Sequence, residues 1–283
     1  MQGKTVLITG GNSGIGKAAA IALANQGAHV VITSRDMDRG QQAVDEIRQA
    51  TDKNVDLLKL DLASFESIHD CADRFIKQYP QLHVLVNNAG LTLSERAETE
   101  EGFEYVLGVN HIGPFLLTHL LLDTLKHSAP ARIVNMSSAG HMGARKGLDW
   151  DDLQRTKKFN GQAYCQAKLG TIYFTQALQK RFYDDGVSAY AVNPKFVSTG
   201  FATDGDTTGI EKLFFKLGKF WMLTPEQGAQ TLVWAASEPG IEPQGGNYFQ
   251  DCAIRKPSKA AHDEQASERF WQLSEQWIKD AHP

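Results

Sequence analysis

Cysteine is scarce in this chain and never paired at short spacing: Cys71, Cys165 and Cys252 are the three, far apart in sequence. Their spacing excludes a C-x-x-C redox or metal motif and a disulfide scaffold, and predicts reduced thiols in an intracellular protein. The histidines form neither an H-E-x-x-H pair nor a Cys/His cluster, so no metal site is expected. His111 and His119, two helical turns apart, are expected at solvent or at a helix end. Charge of one sign is also lacking. With 29 basic and 33 acidic residues the formal net charge is −4, and no Lys/Arg run marks a nucleic-acid or membrane-surface partner. Long apolar runs are missing too. Thr5–Thr9 is too short for a signal-peptide core or a membrane span, and Phe115–Leu125 is broken by His119 and Asp123. The expectation is a soluble, cytoplasmic protein with no integral membrane segment.

What is present is a repeating alternation. Hydrophobic residues make up 42% of the 283, enough for a large core in one domain or two. Strands are expected at Thr5–Thr9, His29–Ser34, Val55–Leu60, Val84–Asn87, Arg132–Met136, Ser188–Val192 and Gly246–Phe249. Several are continuous apolar runs, the pattern of parallel strands covered on both faces. Between them lie helix-period stretches such as Gly16–Gln26, Asp38–Thr51, Ser67–Gln78 and Gln162–Tyr183. Strand–helix–strand repetition of this length implies right-handed crossovers. The fold expected is therefore α/β: a doubly wound, mostly parallel, seven-stranded Rossmann-type sheet with helices on both faces. No linker, composition break or internal repeat divides residues 1–283, so they are read as a single domain.

The first strand runs into Thr9-Gly10-Gly11-Asn12-Ser13-Gly14-Ile15-Gly16 and then an Ala-rich helix. Glycines at 10, 14 and 16 permit a tight turn and close approach of backbone to a pyrophosphate, at the positive end of a helix dipole. In this strand–turn–helix context the motif predicts dinucleotide binding. The second strand ends on Ser34 and Arg35, where an NAD-specific protein would place a carboxylate for the ribose 2′-hydroxyl. A guanidinium there suits a 2′-phosphate instead, which favours NADP(H). The competing reading pairs Arg35 with the adjacent Asp36.

Four further elements carry chemistry. Asn87-Asn88-Ala89-Gly90 follows the fourth strand, Asn110 lies in Val109-Asn110-His111-Ile112-Gly113-Pro114, Ser138 ends the fifth strand, and Tyr164 precedes Lys168 by four in a helix-period segment. Tyr164 and Lys168 therefore share one helix face. An ammonium beside a phenol favours the phenolate and lowers a pKa that is otherwise about 10, bringing it into range for acid–base work. Ser138 is placed to hydrogen-bond a substrate oxygen, and Asn110 to fix a water that relays protons to Lys168. Each element alone is weak, because Y-x-x-x-K matches arise by chance and a buried tyrosine is more often core than catalyst. Their joint occurrence in this order is what points to function.

These residues resemble the short-chain dehydrogenase/reductase family across essentially the whole chain. Ser34-Arg-Asp-Met, Asn110-His-Ile-Gly-Pro-Phe-Leu-Leu-Thr, Ala163-Tyr-Cys-Gln-Ala-Lys-Leu and Gly246-Asn-Tyr-Phe-Gln-Asp-Cys252 are similar to its retinol dehydrogenase-like branch. The Ser–Tyr spacing, lengthened by an insertion at 139–163, is similar too. The resemblance implies Tyr164 as general acid/base, Lys168 on the nicotinamide ribose, Ser138 on the carbonyl and Asn110 on a relay water. It implies Gly10, Asn12, Ser13, Gly14, Ile15 and Gly16 around the pyrophosphate and Arg35 on a 2′-phosphate. Asp61 and Leu62 would contact the adenine, Asn87, Ala89 and Gly90 the adenosine side, and Val197 and Thr199 the carboxamide, with Pro194 also among the cofactor-binding residues.

One departure stands out. Where the family has Pro-Gly after the sixth strand, this chain has Asn193-Pro194-Lys195. Lysine takes a left-handed conformation only at a cost. Two readings of Lys195 stay open: a solvent-facing cation, or one at the active-site mouth that selects an anionic substrate. Residues 200–223 fall where the family has a substrate lid, and Phe214, Phe215, Phe220, Trp221 and Met222 would suit a bulky apolar substrate or merely line a helix. Trp150, Arg155, Lys157 and Lys158 of the insertion would form an opposite wall or a solvated loop. Residues 257–281 are read as a C-terminal helical extension, and a homodimer through helices near 112–128 and 162–183 is possible unless that extension covers them. The expected activity is NADP(H)-dependent interconversion of an aldehyde or ketone and an alcohol on a lipophilic substrate. The alternatives are a non-catalytic NADP(H) sensor and a reductase of a ring double bond in a pigment precursor.

Overall fold

A computed structural model describes residues 1–195, 197 and 223–281. Its strands are β1 (Thr5–Ile8), β2 (His29–Ser34), β3 (Val55–Lys59), β4 (Val84–Asn87), β5 (Ala131–Met136), β6 (Val187–Val192), β7 (Tyr248–Gln250) and β8 (Ala253–Ile254). They form one sheet in the order β3-β2-β1-β4-β5-β6-β7-β8. Every pairing is parallel except β7 with β8. The expected seven-stranded sheet thus gains a two-residue edge strand. It arises because Asp251 and Cys252 both adopt left-handed backbone, with φ of 57° and 54°, and turn the chain back on itself. Two residues carry no readable periodicity, so the sequence did not announce it.

The helices are α1 (Gly14–Asn25), α2 (Met37–Thr51), α3 (Phe65–Gln78), α4 (Tyr105–His127), α5 (Gln162–Phe182), α6 (Pro225–Ser237) and α7 (Glu264–Asp280). The first three begin one or two residues before the expected positions because their caps lie upstream. Asp36 accepts from the Asp38 and Arg39 amides, and Ser64 from the Ser67 amide. Alternate strand residues point to opposite faces, and both faces are apolar. Val6, Ile8, Val30, Ile32 and Val86 pack under α1, α2 and α6, while Leu7, Val31, Leu85 and Ile133 pack under α3, α4 and α5. Among the described residues α4 is the one helix long and apolar enough to cross a membrane, and 78% of its most apolar window is buried in the fold. It serves as a core helix here.

Two local features position the site. The outward progression of strands reverses between β1 and β4, which opens a crevice at the carboxyl edge of the sheet. Within α4, residues Gly108–Ile112 form a π-helical turn. Pro114 follows, and with no N–H it cannot supply the α-helical donor for the Asn110 carbonyl. The C-terminal segment then clasps α5. Tyr173 donates its hydroxyl to the Ala260 carbonyl (2.7 Å), Gln176 donates to Ala261 (2.9 Å), and Ser267 donates to the Tyr173 carbonyl (3.0 Å). Arg181 forks onto both oxygens of Glu268 at 2.7 and 2.8 Å. The insertion joins the same packing: Arg269 of α7 sits 4.2 Å over the Trp150 ring, and Arg155 is buried beside Asp149.

Candidate active site

The glycine loop closes over the carboxyl end of β1. Gly10 and Gly14 hold φ of 64° and 51°, a region that side chains disfavour. Gly11 N–H donates to the Thr33 carbonyl at the end of β2, which ties the loop to the strand that carries Arg35. Ser13 stands at the N-cap of α1 but makes no side-chain cap bond, and no acidic residue occupies the first turn. The first-turn amides, at Gly14, Ile15 and Gly16, are therefore offered to the crevice at the positive end of the helix. Asn12 lies in the turn before them. These features fit a pyrophosphate.

Arg35 is exposed and donates to the Tyr105 hydroxyl at 3.1 Å. The competing partner Asp36 spends its Oδ1 on the cap of α2, accepting the Asp38 and Arg39 amides at 3.0 and 3.1 Å. The turn after β3 is fixed by Asp61, whose Oδ1 accepts the Ala63 amide at 2.9 Å and whose own amide donates to Ser67 Oγ. Leu62 in that turn is buried, its carbonyl against Gly113 of α4. After β4, Asn87 points inward. Its amide nitrogen donates to Thr118 (3.1 Å) and Asn135 (2.8 Å), while its oxygen is buried with no partner among the described residues.

Ser138, Tyr164, Lys168 and Asn110 converge where β4 and β5 end. Tyr164 and Lys168 lie one turn apart on α5, with the lysine nitrogen 5.7 Å from the centre of the phenol ring. Lys168 is 3% exposed and donates to the Met136 carbonyl at 2.9 Å. Ser138 Oγ accepts the Gly140 amide at 3.0 Å and hydrogen-bonds the Tyr164 hydroxyl. A methyl at Gly140 would lie 2.8 Å from the Tyr164 ring, so only glycine lets the phenol reach the serine. Gly90 has a similar role: a methyl there would lie 2.5 Å from Asn110 Oδ1 and 3.2 Å from Lys168 Nζ. The Asn110 side chain holds this loop, accepting from the Leu91 amide (3.2 Å) and donating to the Leu91 and Val106 carbonyls (both 2.8 Å). Four residues after Asn110 stands Pro114, which has no N–H to give the Asn110 carbonyl.

Electrostatics differ from the expectation drawn from spacing alone. Burial pushes the Tyr164 phenol up from its ordinary value, opposed by the Ser138 hydrogen bond. Burial also lowers Lys168 from 10.5 to about 8. Low dielectric penalises both charged forms, and the ammonium is spent on Met136, so desolvation outweighs its pull on the phenol. A lysine near 8 exchanges protons readily around neutrality, which suits a relay.

The remaining expected positions divide. Pro194 lies beyond β6 and Val197 forms a bridge with Leu223. Thr199 and the lid expected at 200–223, Leu223 excepted, lie outside the described residues. Lys195 does take a left-handed backbone (φ 64°), and its ammonium pairs with Asp251 at 2.5 Å instead of standing free. His119 is exposed, but His111 is not: it is buried, stacked 4.1 Å from Phe270 and bonded to Ser274 at 2.7 Å. The expectation of solvent or a helix end fails for His111 because the C-terminal segment covers it.

Sequence reasoning passed over three residues that build the site. Thr9 Oγ accepts the Asn88 and Ala89 amides at 3.0 Å each, and Asn88 donates back to the Thr9 and Gly10 carbonyls at 2.9 and 3.3 Å. This clasp locks the glycine loop to the turn after β4. The third, Gly140, was visible only as a glycine two places after the serine.

Comparison with known proteins agrees with this geometry. The family model described as short chain dehydrogenase matches residues 4–208. Human retinol dehydrogenase 12 is 43% identical over 277 residues, covering 97% of this chain and 86% of the relative. Human retinol dehydrogenase 13 is 40% identical over 280 residues, covering 96% and 83%. A solved structure of an uncharacterized protein from Mycobacterium paratuberculosis superposes with a TM-score of 0.78 at 30% identity, covering 98% of this chain and 94% of that one. The alcohol dehydrogenase of the archaeon Thermococcus sibiricus, solved with 5-hydroxy-NADP, shares the fold at a TM-score of 0.62 and 24% identity, covering 81% and 88%. Since the matched span runs from β1 through the helix that carries Tyr164 and Lys168, the chain belongs to the short chain dehydrogenase family.

Proposed function

We propose that the chain is an NADP(H)-dependent oxidoreductase that interconverts an aldehyde or ketone and an alcohol, on a lipophilic substrate. The convergence of Ser138, Tyr164 and Lys168, with Gly140 giving the phenol room beside the serine, carries the reading. The glycine loop would hold the pyrophosphate, Arg35 the 2′-phosphate and Lys168 the nicotinamide ribose. The bound nicotinamide supplies the hydride. Ser138 gives a hydrogen bond to the carbonyl oxygen and orients it. Tyr164 donates its proton to that oxygen as the alkoxide develops, and its raised pKa makes it an acid that keeps its proton until then. Lys168, near 8, restores the proton through a water on the Asn110 carbonyl. The names of the relatives, retinol dehydrogenases, favour an extended apolar alcohol or aldehyde.

The test is consumption of NADPH absorbance with a panel of aliphatic, aromatic and retinoid aldehydes and ketones. Tyr164→Phe should lower kcat by about 100-fold or more, as loss of a positioned acid does. Undiminished turnover by that variant would refute the mechanism, and no turnover of any panel member by the wild type would favour a cofactor-binding sensor.

A further inference from the structure

His141 is a buried titratable side chain that the chemistry above leaves unused. It lies on the 3₁₀ turn that follows Ser138 and is 0% exposed. Its two ring nitrogens have different partners. Nε2 accepts the backbone N–H of Ser258 at 3.1 Å. A backbone amide only donates, so Nε2 carries no proton and the ring proton resides on Nδ1. Nδ1 lies 2.6 Å from the Ser138 carbonyl oxygen and donates to it. That oxygen also accepts the His141 backbone amide at 3.2 Å. The edge of the ring is closed by Tyr248, with centroids 4.9 Å apart at 61°.

The consequence falls on Ser138. Its backbone is extended, with φ −162° and ψ 156°, and the carbonyl is held by two donors from His141. On the other side its Oγ accepts the Gly140 amide, which uses one lone pair and turns the hydroxyl toward Tyr164. With carbonyl and side chain both anchored, the serine has one orientation. Ser258, at the start of the C-terminal segment, is what keeps the histidine proton on the nitrogen that faces the serine.

We propose that His141 is the positioning residue for Ser138, holding its carbonyl through Nδ1–H, and that the Ser258 amide fixes the tautomer that makes this possible. The proposal deepens the function proposed above and rests on it. It also assigns the C-terminal segment a part in active-site geometry.

Two substitutions separate the roles of the ring. His141→Asn places an amide nitrogen where Nδ1 stands, so it keeps the bond to Ser138 and loses Ser258. His141→Gln reaches the Ser258 amide with its oxygen and loses Ser138. Both remove the packing against Tyr248, so a loss owed to packing appears equally in both. The expected result is a fall in kcat of about 100-fold for His141→Gln, as for an ångström-scale misplacement, with KM for NADPH unchanged, and recovery to within about threefold of wild type for His141→Asn. Equal losses in both variants, or loss in neither, overturn the proposal. A readout free of turnover accompanies it: ¹⁵N–¹H correlation spectra of the histidine rings, with the His141 signals identified by their disappearance in His141→Asn. An Nδ1–H tautomer with unprotonated Nε2 is expected near neutral pH. An Nε2–H tautomer overturns the proposal even if no carbonyl substrate is found, whereas a wild type inactive on the whole panel, with the expected tautomer, defeats only the function reading.

Discussion

A lysine that is 3% exposed and carries a proton at neutral pH is a burden on the fold. The unfolded chain keeps the Lys168 proton up to its ordinary 10.5, whereas the folded chain releases it at about 8. Between those values the unfolded state binds more protons, so this group makes stability rise with pH there. Below about 8 the full penalty is present, on the order of 3 kcal/mol. Lys168→Met should therefore abolish turnover and yet melt no lower than wild type at pH 7, with any advantage shrinking as pH approaches 10. A melting temperature several degrees lower would show that the bond to Met136, not desolvation, dominates. That Asn110, Ser138, Tyr164 and Lys168 lie close together was legible, because their types, order and spacing place them at neighbouring strand ends and on one helix face. Their protonation balance was not, since spacing says that Lys168 lies near Tyr164 but says nothing about how dry both become. Thr9 and Asn88 stand inside the motifs, but their clasp was not legible, nor was His141, because each acts through a backbone group that the sequence does not display.

At the level of elements, hydrophobic runs placed seven strands and the main helices, because the strand runs are short, β-branched and alternate with longer helix-period stretches. The π-helical turn and β8 escaped, one being a single widened turn inside a helix and the other only two residues long. That the C-terminal extension would cover the helices near 112–128 and 162–183 was one of the alternatives, but its burial of His111 was not read. His111 donates from Nε2 to Ser274 Oγ, whose own proton goes to the Phe270 carbonyl at 2.7 Å. Its Nδ1 is buried with no partner among the described residues. Burial lowers its pKa to about 3. The unfolded chain takes up this proton near 6.5 and the folded chain does not, so stability is lost as pH falls from 6.5 toward 3. The slope is about 1.4 kcal/mol per pH unit once the unfolded histidine is charged. His111→Phe should keep the stack on Phe270 and remove the slope. From pH 6.5 to 5 the wild type should then lose roughly 1–2 kcal/mol more than the variant, measured by urea unfolding. Parallel pH profiles would mean that His111 becomes protonated inside the fold.

On the scale of the whole molecule, the candidate site draws on the carboxyl ends of β1 through β6 and on both layers of helices. Alternating strands and helices made that much legible, because a doubly wound sheet gathers its loops at one edge. A ligand laid along that edge touches every part of the core, so its binding free energy should appear as global stability. At 100 times Kd the gain is about 2.7 kcal/mol, seen as a rise in melting temperature of several degrees. Cofactor preference can be read from the same experiment. Arg35 is exposed just beyond β2 and donates to the Tyr105 hydroxyl, its neighbour Asp36 being engaged in the cap of α2, and the proposed function gives its guanidinium a 2′-phosphate to hold. A hydrogen bond to a charged group contributes about 1.5–3 kcal/mol, or roughly 10- to 100-fold in Kd. NADPH should accordingly raise the melting temperature of the wild type at concentrations where NADH does not, and Arg35→Asp should reverse that order by placing a carboxylate against the phosphate. If the variant still prefers NADPH, the discrimination comes from another cation near the glycine loop, and the role given to Arg35 is wrong.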